Sequence, residues 1–141
     1  MQGGEVSANI YTQSPISFTL QASYVRGIEK LSNTNLPLMP PLHGLLAIHY
    51  VIENCGKITA QVVMADKQTK VAEKELTTGG YALYNLSTES TDFNLYYFRL
   101  KCFTGIDNIT NRAWRNHLAT NRGLMRLEAG RNVYVKVQIN W

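Results

Sequence analysis

Alternation of apolar and polar residues is the feature that most constrains this chain. Every second residue is apolar from Ile16 to Tyr24, and again from Val133 to Trp141. Successive side chains of a strand point to opposite faces, whereas a helix would spread these apolar residues around its axis. The pattern therefore predicts two strands, each with one apolar and one polar face.

Weaker strand signals lie between these two segments. They cover residues 45–53, 58–64, 69–76, 81–86 and 93–103. Segment 45–53 is apolar on both faces, which indicates cover on both sides or contact with a neighbouring subunit. Segment 69–76 is rich in Lys and Glu, as is typical of an edge strand.

Seven or eight short strands separated by turns favour a sandwich or barrel. The long connections 26–43 and 104–131 favour jelly-roll or Greek-key wiring over a simple meander. In the second connection, Thr110 is placed to cap a short helix over 111–121, which Gly123 would end. We therefore predict an all-β fold, a single-domain antiparallel β-sandwich over residues 1–141, with one short helix. The 141 residues are enough to bury a core without disulfides.

The sequence also bears on the compartment. No apolar run approaches the ~18 residues of a helical membrane span. The N-terminus lacks the basic and apolar regions of a signal peptide, so we expect synthesis in the cytoplasm and no membrane span. Cys55 and Cys102 are too few for a disulfide framework. We expect two buried or half-buried thiols, with one inter-sheet disulfide as the alternative.

Signatures of catalysis and metal binding are missing from the sequence. His43, His49 and His117 are far apart and match no metal-ligand spacing. No nucleophile elbow, glycine-rich phosphate loop or other catalytic motif is present. We therefore predict a protein that is not an enzyme and has no cofactor or metal.

Positive charge is concentrated in the C-terminal third. Residues 99–141 carry eight Lys or Arg and two Asp or Glu, whereas residues 1–98 carry six and eight. Arg, Trp and Met are favoured in interface cores, and Arg with Trp also suits a polyanion. We expect a subunit interface first, with a solvated loop whose arginines pair locally as an alternative and nucleic acid or another polyanion as a less favoured partner. The candidate residues are Arg112, Trp114, Arg115, Arg122, Met125 and Arg126.

Four tyrosines form a second candidate site. Tyr81, Tyr84, Tyr96 and Tyr97 lie in or next to predicted strands. Tyrosine rings stack on sugars, although aromatic residues are also good strand formers that fill cores. Glycan stacking by these residues is therefore an alternative to a place in the core.

Together these features favour a structural protein that takes part in assembly. By analogy of fold alone, small jelly rolls are common in protein shells. We predict a homo-oligomer that contacts other subunits of a larger particle, such as a virion component of a virus or phage (capsid, vertex, spike or decoration protein). A carbohydrate- or surface-ligand-binding module is the first alternative, and a polyanion-binding protein is the second.

Overall fold

The computed structural model of the chain describes residues 1–123 and 127–141. It contains ten strands and one short helix in this part of the chain. The elements are β1 (Gln2–Tyr11), β2 (Ile16–Arg26), β3 (Ile28–Glu29), β4 (Thr34–Asn35), β5 (His43–Ile52), β6 (Gly56–Ala65), β7 (Tyr81–Ser90), β8 (Phe93–Leu95), β9 (Phe98–Asp107), α1 (His117–Asn121) and β10 (Asn132–Asn140).

The long strands form one antiparallel sheet in the order β1-β2-β5-β6-β7-β9-β10. Each long strand therefore pairs with the long strands before and after it in sequence. Strand β8 pairs with β9 at one end, and β3 and β4 form a separate small hairpin. The wiring is a meander, and its two outer strands are β1 and β10.

Connections differ in length between the two ends of the strands. At one edge, residues 12–15 join β1 to β2 and residues 53–55 join β5 to β6. The first turn is closed by the Thr12 hydroxyl, which donates to the Ile16 carbonyl at 2.7 Å, and the second places Asn54 at φ 59°. At the opposite edge, residues 27–42, 66–80 and 108–131 connect the strands. We call these two ends of the strands the short-turn edge and the long-loop edge.

The sheet buries little of its surface. The accessible surface is 10172 Å², against about 7,000 Å² for a compact domain of this mass. Among the described residues, the buried hydrophobic ones are Ala47, Ala65, Tyr81 and Leu83. A protein layer therefore does not cover most of the sheet.

The all-β antiparallel class and the presence of a short helix are confirmed. The sandwich with jelly-roll or Greek-key wiring is not observed, because the described strands form one principal sheet whose long strands follow in sequence order. The long connections suggested crossovers, but each joins two adjacent strands across the long-loop edge. The second layer that a sandwich requires is missing from the described chain.

Two predicted elements also differ from the structure. The helix occupies His117–Asn121 instead of 111–121, because Asn116, not Thr110, caps it by accepting from the amides of Leu118 and Ala119. Segment 69–76 is a loop rather than an edge strand. None of the described helices has the length and apolar character needed to cross a membrane.

Candidate functional site

One face of the sheet carries apolar residues on all seven long strands, and Thr88, Ser90 and Thr104 interrupt it on β7 and β9. The register aligns Ala8 with Leu20, Leu20 with Leu46, and Leu46 with Val62, so apolar residues continue from strand to strand. In the described strands, this face carries no Asp, Glu or Lys, and its only Arg is Arg26 at the end of β2. We call it the apolar face, and its apolar residues are Val6, Ala8, Ile10, Ile16, Phe18, Leu20, Ala22, Tyr24, Leu46, Ile48, Tyr50, Ile52, Ile58, Ala60, Val62, Met64, Ala82, Tyr84, Leu86, Phe98, Leu100, Ile106, Val133, Val135, Val137 and Ile139.

The side chains of this face are widely exposed. Val6 is 67% exposed, Ile48 in the middle of β5 is 43% exposed, and Val135 is 73% exposed. Contiguous apolar patches on soluble monomers rarely exceed a few hundred Å². A face that is apolar over seven strands is a surface for an apolar environment.

The opposite face is polar over most of its area. Its strand residues include Glu5, Ser7, Asn9, Ser17, Thr19, Gln21, Ser23, His49, Lys57, Thr59, Gln61, Asn85, Ser87, Glu89, Arg99, Lys101, Lys136, Gln138 and Asn140. We call this the polar face. The period-two pattern predicted these two faces for β2 and β10, and the register extends them to the whole sheet.

Hydrogen bonds run across the polar face from strand to strand. The Thr19 hydroxyl donates to Asn9 Oδ1 at 2.8 Å and lies 3.1 Å from His49 Nε2. The other ring nitrogen, His49 Nδ1, lies 2.9 Å from the Thr59 hydroxyl. This series of hydrogen bonds links β1, β2, β5 and β6, and both ring nitrogens of His49 have a partner in it.

Ion pairs continue the polar face toward β9. Glu89 contacts Lys57 Nζ at 3.0 Å and Lys101 Nζ at 2.5 Å. The ammonium groups of Lys101 and Lys136 each lie 5.5 Å from the centre of the Phe103 ring. Lys57, Glu89, Lys101 and Lys136 therefore have partners on neighbouring strands.

A small apolar cluster covers the polar face at the long-loop edge. Ala65, Tyr81 and Leu83 are buried there, with Val63 and Trp114 packed against them. The Tyr81 and Trp114 ring centres are 4.5 Å apart, and Trp114 Nε1 donates to the Ala129 carbonyl at 3.2 Å. The described residues of the 108–131 loop thus fold back onto the sheet, and Trp114 anchors them.

Helix α1 joins two of the long loops. The Asn121 side chain accepts from the Leu76 amide at 2.7 Å and donates to the Leu76 carbonyl at 3.1 Å. His117 is buried, and its Nδ1 lies 3.0 Å from the Thr78 hydroxyl. Desolvation lowers the pKa of His117, with a smaller opposing effect from the Glu75 carboxylate.

The arginine cluster predicted from the sequence is only partly visible. Arg112 Nη2 donates to the Gly80 carbonyl at 3.2 Å, Arg115 is exposed and Arg122 ends α1. Met125 and Arg126 lie outside the described residues. Arg112 thus contacts backbone, and Trp114 belongs to the packed loop. An interface or polyanion role for these residues stays a prediction.

The four tyrosines are not brought together. Tyr81 is buried on the polar face, whereas Tyr84 lies on the apolar face. Tyr96 and Tyr97 are exposed in the β8–β9 turn at the other edge. A single sugar ring cannot stack on residues placed in this way, and glycan binding by individual tyrosines stays a prediction.

Sequence reasoning named Tyr96 and Tyr97 but missed that they belong to a larger group of aromatic residues at the short-turn edge. These residues lie at or next to strand ends, where their position relative to the turns could have signalled them. The group consists of Tyr11, Tyr50, Phe93, Tyr96, Tyr97 and Trp141. Tyr96 is 93% exposed and Trp141 is 95% exposed. Aromatic residues in such positions are typical of a boundary between water and an apolar phase.

The cysteines and histidines form no metal centre in the described residues. Cys55 and Cys102 are free thiols that line one shallow cavity near the short-turn edge. No group of three His, Cys, Asp or Glu side chains is placed to hold a metal ion in residues 1–123 and 127–141.

No protein-family model and no curated protein matches this sequence. Among solved structures, the chain is similar to the copper transporter OprC, with a TM-score of 0.81 and 19% sequence identity. The similarity covers 96% of this chain and 22% of OprC. This chain therefore spans about a fifth of the length of that protein, and the likeness shows the fold.

The similarity corrects the functional interpretation of the sequence. The interpretation as a structural or capsid-type assembly protein of a virion is wrong, as is the expected place in a virion after synthesis in the cytoplasm. A jelly-roll shell protein buries its apolar faces between two sheets, whereas this sheet leaves its apolar face bare. The structural neighbour is a transporter, not an enzyme.

Proposed function

We propose that this chain forms a seven-strand segment of the membrane-spanning sheet of an outer-membrane-type transport protein. The apolar face contacts lipid hydrocarbon, and the polar face borders an aqueous interior. The observation that carries the proposal is the exposed apolar face, continuous over seven strands. The similarity to a transporter supports it as an analogy of fold.

Strand length supports this function. The seven long strands have nine to eleven residues each. Ten residues at ~3.3 Å per residue extend about 33 Å, which a tilt of ~45° reduces to about 23 Å. This length is close to the apolar band of about 25 Å in membrane proteins built from strands.

Backbone hydrogen bonding supports the same environment. Hydrocarbon offers no partner to a free N–H or C=O, so spanning strands must pair on both sides. Each of the five inner long strands has a paired strand on both sides, and the shortest of these ladders joins Leu86–Glu89 of β7 to β9. Each of β1 and β10 has one edge without a paired strand in the described residues. In a bilayer these edges pair with further strands, either of the same polypeptide or of other copies. The predicted homo-oligomer thus remains one way to complete the sheet.

The short-turn edge and the long-loop edge resemble the two ends of a membrane-spanning sheet. Strand-built membrane proteins have short turns at one end, longer loops at the other and aromatic residues near the interfaces. Here the aromatic group lies at the short-turn edge, and the long loops carry Trp114 and α1 at the opposite edge. We assign this chain a wall-forming role without catalysis. Copper remains an attribute of the neighbour, because the described residues supply no three-ligand group.

Insertion of the full chain into phosphatidylcholine vesicles tests this function. Polarised infrared spectroscopy on oriented bilayers should report strands tilted ~35–45° from the membrane normal. Ile48→Asp on the apolar face should prevent insertion, whereas Val51→Asp on the polar face of the same strand should allow it. The two positions are matched in exposure, since Ile48 is 43% exposed and Val51 is 49% exposed. A chain that stays in the aqueous fraction, or equal behaviour of the two variants, would contradict the proposal.

A further inference from the structure

A cavity of about 250 Å³, lined by both polar and apolar residues, lies at the long-loop edge, between the end of β2 and the loops that precede β5 and follow β6. Three cationic side chains line it, those of Arg26, Lys67 and Lys70, together with one carboxylate, Asp66. The cavity is large enough for a small ion with several waters. Its lining has an excess of positive charge.

Arg26 has a donor that the protein leaves unused. Its Nε is buried and has no hydrogen-bond partner in the described part of the chain. Both ion pairs found among the described residues involve Glu89, so Arg26 is not paired with Asp66. A buried charged donor without an acceptor is costly, and an anion in the cavity would remove that cost.

A hydrogen-bonded framework holds the loop that carries the two lysines. Gln68 and Thr78 exchange backbone hydrogen bonds of 2.9 and 3.1 Å. The Gln68 side chain donates to the Met39 carbonyl at 2.9 Å and accepts from the Lys70 amide at 3.1 Å. Lys67 and Lys70 therefore flank a fixed residue, and little ordering of the backbone is needed for binding.

The cavity also lies at the rim of the apolar face. Arg26 follows Tyr24 by two residues and so lies on the same side of the sheet. Tyr24 and Leu42, both partly exposed, line the cavity. If the apolar face contacts hydrocarbon, this rim lies at the level of the lipid headgroups.

We propose that this cavity binds a phosphate-type oxyanion. The planar guanidinium of Arg26 forms paired hydrogen bonds with two oxygens, and Lys67 and Lys70 add charge. A soluble phosphate and the phosphate of a lipid headgroup have the same chemistry. Binding of the oxyanion is independent of the proposed function. Only the identification of a lipid headgroup as the bound phosphate rests on that function.

Titration of the full chain in maltoside micelles with inorganic phosphate tests the site. Arg26→Gln should weaken binding by about tenfold or more, since a charge-assisted hydrogen bond is lost. Arg26→Lys keeps the charge and lacks the fork, so it should also weaken binding, and circular dichroism checks its fold. Lys74→Gln is the matched control, because Lys74 lies on the same loop but does not line the cavity. Its affinity should change less than about twofold, since exposed charges are screened.

A second arm distinguishes the sources. Phosphatidylcholine vesicles with and without phosphatidic acid are compared for wild type and Arg26→Gln. Tighter binding to phosphatidic acid that Arg26→Gln removes identifies a headgroup site, and phosphate binding without this preference identifies a soluble ligand. No phosphate binding in micelles, or equal affinity in wild type and Arg26→Gln, overturns the inference. Failure to insert into pure phosphatidylcholine contradicts only the proposed function.

Discussion

Introducing an arginine near the middle of the apolar face separates a lipid-facing sheet from one that faces water. Leu20 is the fifth of eleven residues in β2 and pairs with Ala8 and Leu46. It is about 13 Å along the strand from Ile16, at ~3.3 Å per residue, and so lies well inside the apolar band. Gln21, the next residue, is exposed on the polar face at nearly the same depth.

Leu20→Arg should destabilise the inserted protein by about 2–4 kcal/mol, the cost of an arginine near the bilayer midplane. This corresponds to a change of about 30-fold to 1,000-fold in the folding equilibrium. Gln21→Arg should change the free energy of unfolding by less than about 0.5 kcal/mol, as expected for an exposed polar site.

The assay is guanidinium unfolding from phosphatidylcholine vesicles, followed by tryptophan fluorescence. Trp114 reports on the folded state because its ring packs against Tyr81. A soluble sheet would lose little from Leu20→Arg, since Leu20 is already 42% exposed. Equal free energies of unfolding for the two variants would refute the assignment of the apolar face to lipid.

Three further predictions concern the loops and turns. Burial lowers the pKa of His117, so the unfolded state binds more protons than the folded state as pH falls below 6.5. The urea midpoint should therefore decrease with falling pH, and His117→Gln should weaken this pH dependence. Trp114→Ala should destabilise the fold by about 2–4 kcal/mol through lost packing, measured by thermal unfolding; a change below about 0.5 kcal/mol would mean that Trp114 anchors nothing. Gly56 has φ +146°, and a Cβ at this position would clash with the Glu89 carbonyl oxygen, so Gly56→Ala should cost about 2 kcal/mol or more. Gly79→Ala, which meets no neighbouring atom, should be close to neutral in chemical unfolding, and equal effects at the two glycines would contradict the strain at Gly56.

Strands were predictable where the alternation is strict. The patterns over 16–24 and 133–141 correspond to Ile16–Arg26 and Asn132–Asn140. Strand β1 was missed, because Gly3 and Gly4 weaken the signal before Val6, Ala8 and Ile10. Its pairing with β2 compensates for this weak local preference.

The all-β class was predictable, and only the sandwich arrangement was not, because the sequence does not state what covers an apolar face. Period-two alternation indicates that one face avoids water, and either a second sheet or lipid can cover that face equally well. The two-sided apolar segment 45–53 suggested a subunit contact. In the structure, Ala47 on the polar face is buried, so local packing explains part of that pattern. The expected absence of a membrane span considered helical spans alone.

The cavity proposed to bind an oxyanion was less predictable than the strands. Arg26 is an isolated arginine at a strand end, and Lys67 and Lys70 lie some forty residues away. Only the β5–β6 hairpin brings the loop after β6 next to the end of β2. The denser arginine segment 112–131 attracted attention because of its composition. Composition does not reveal which charges the register brings together.

Quenching of fluorophores at consecutive positions of β6 tests the orientation of the sheet most directly. In a background of Cys55→Ser and Cys102→Ser, single cysteines are introduced as Ala60→Cys, Gln61→Cys, Val62→Cys and Val63→Cys and labelled. Quenching by spin-labelled lipid should be strong at positions 60 and 62 and weak at 61 and 63, and aqueous iodide should give the reverse pattern at 61. Quenching that does not alternate along the strand, or that alternates in the opposite phase, would contradict the account.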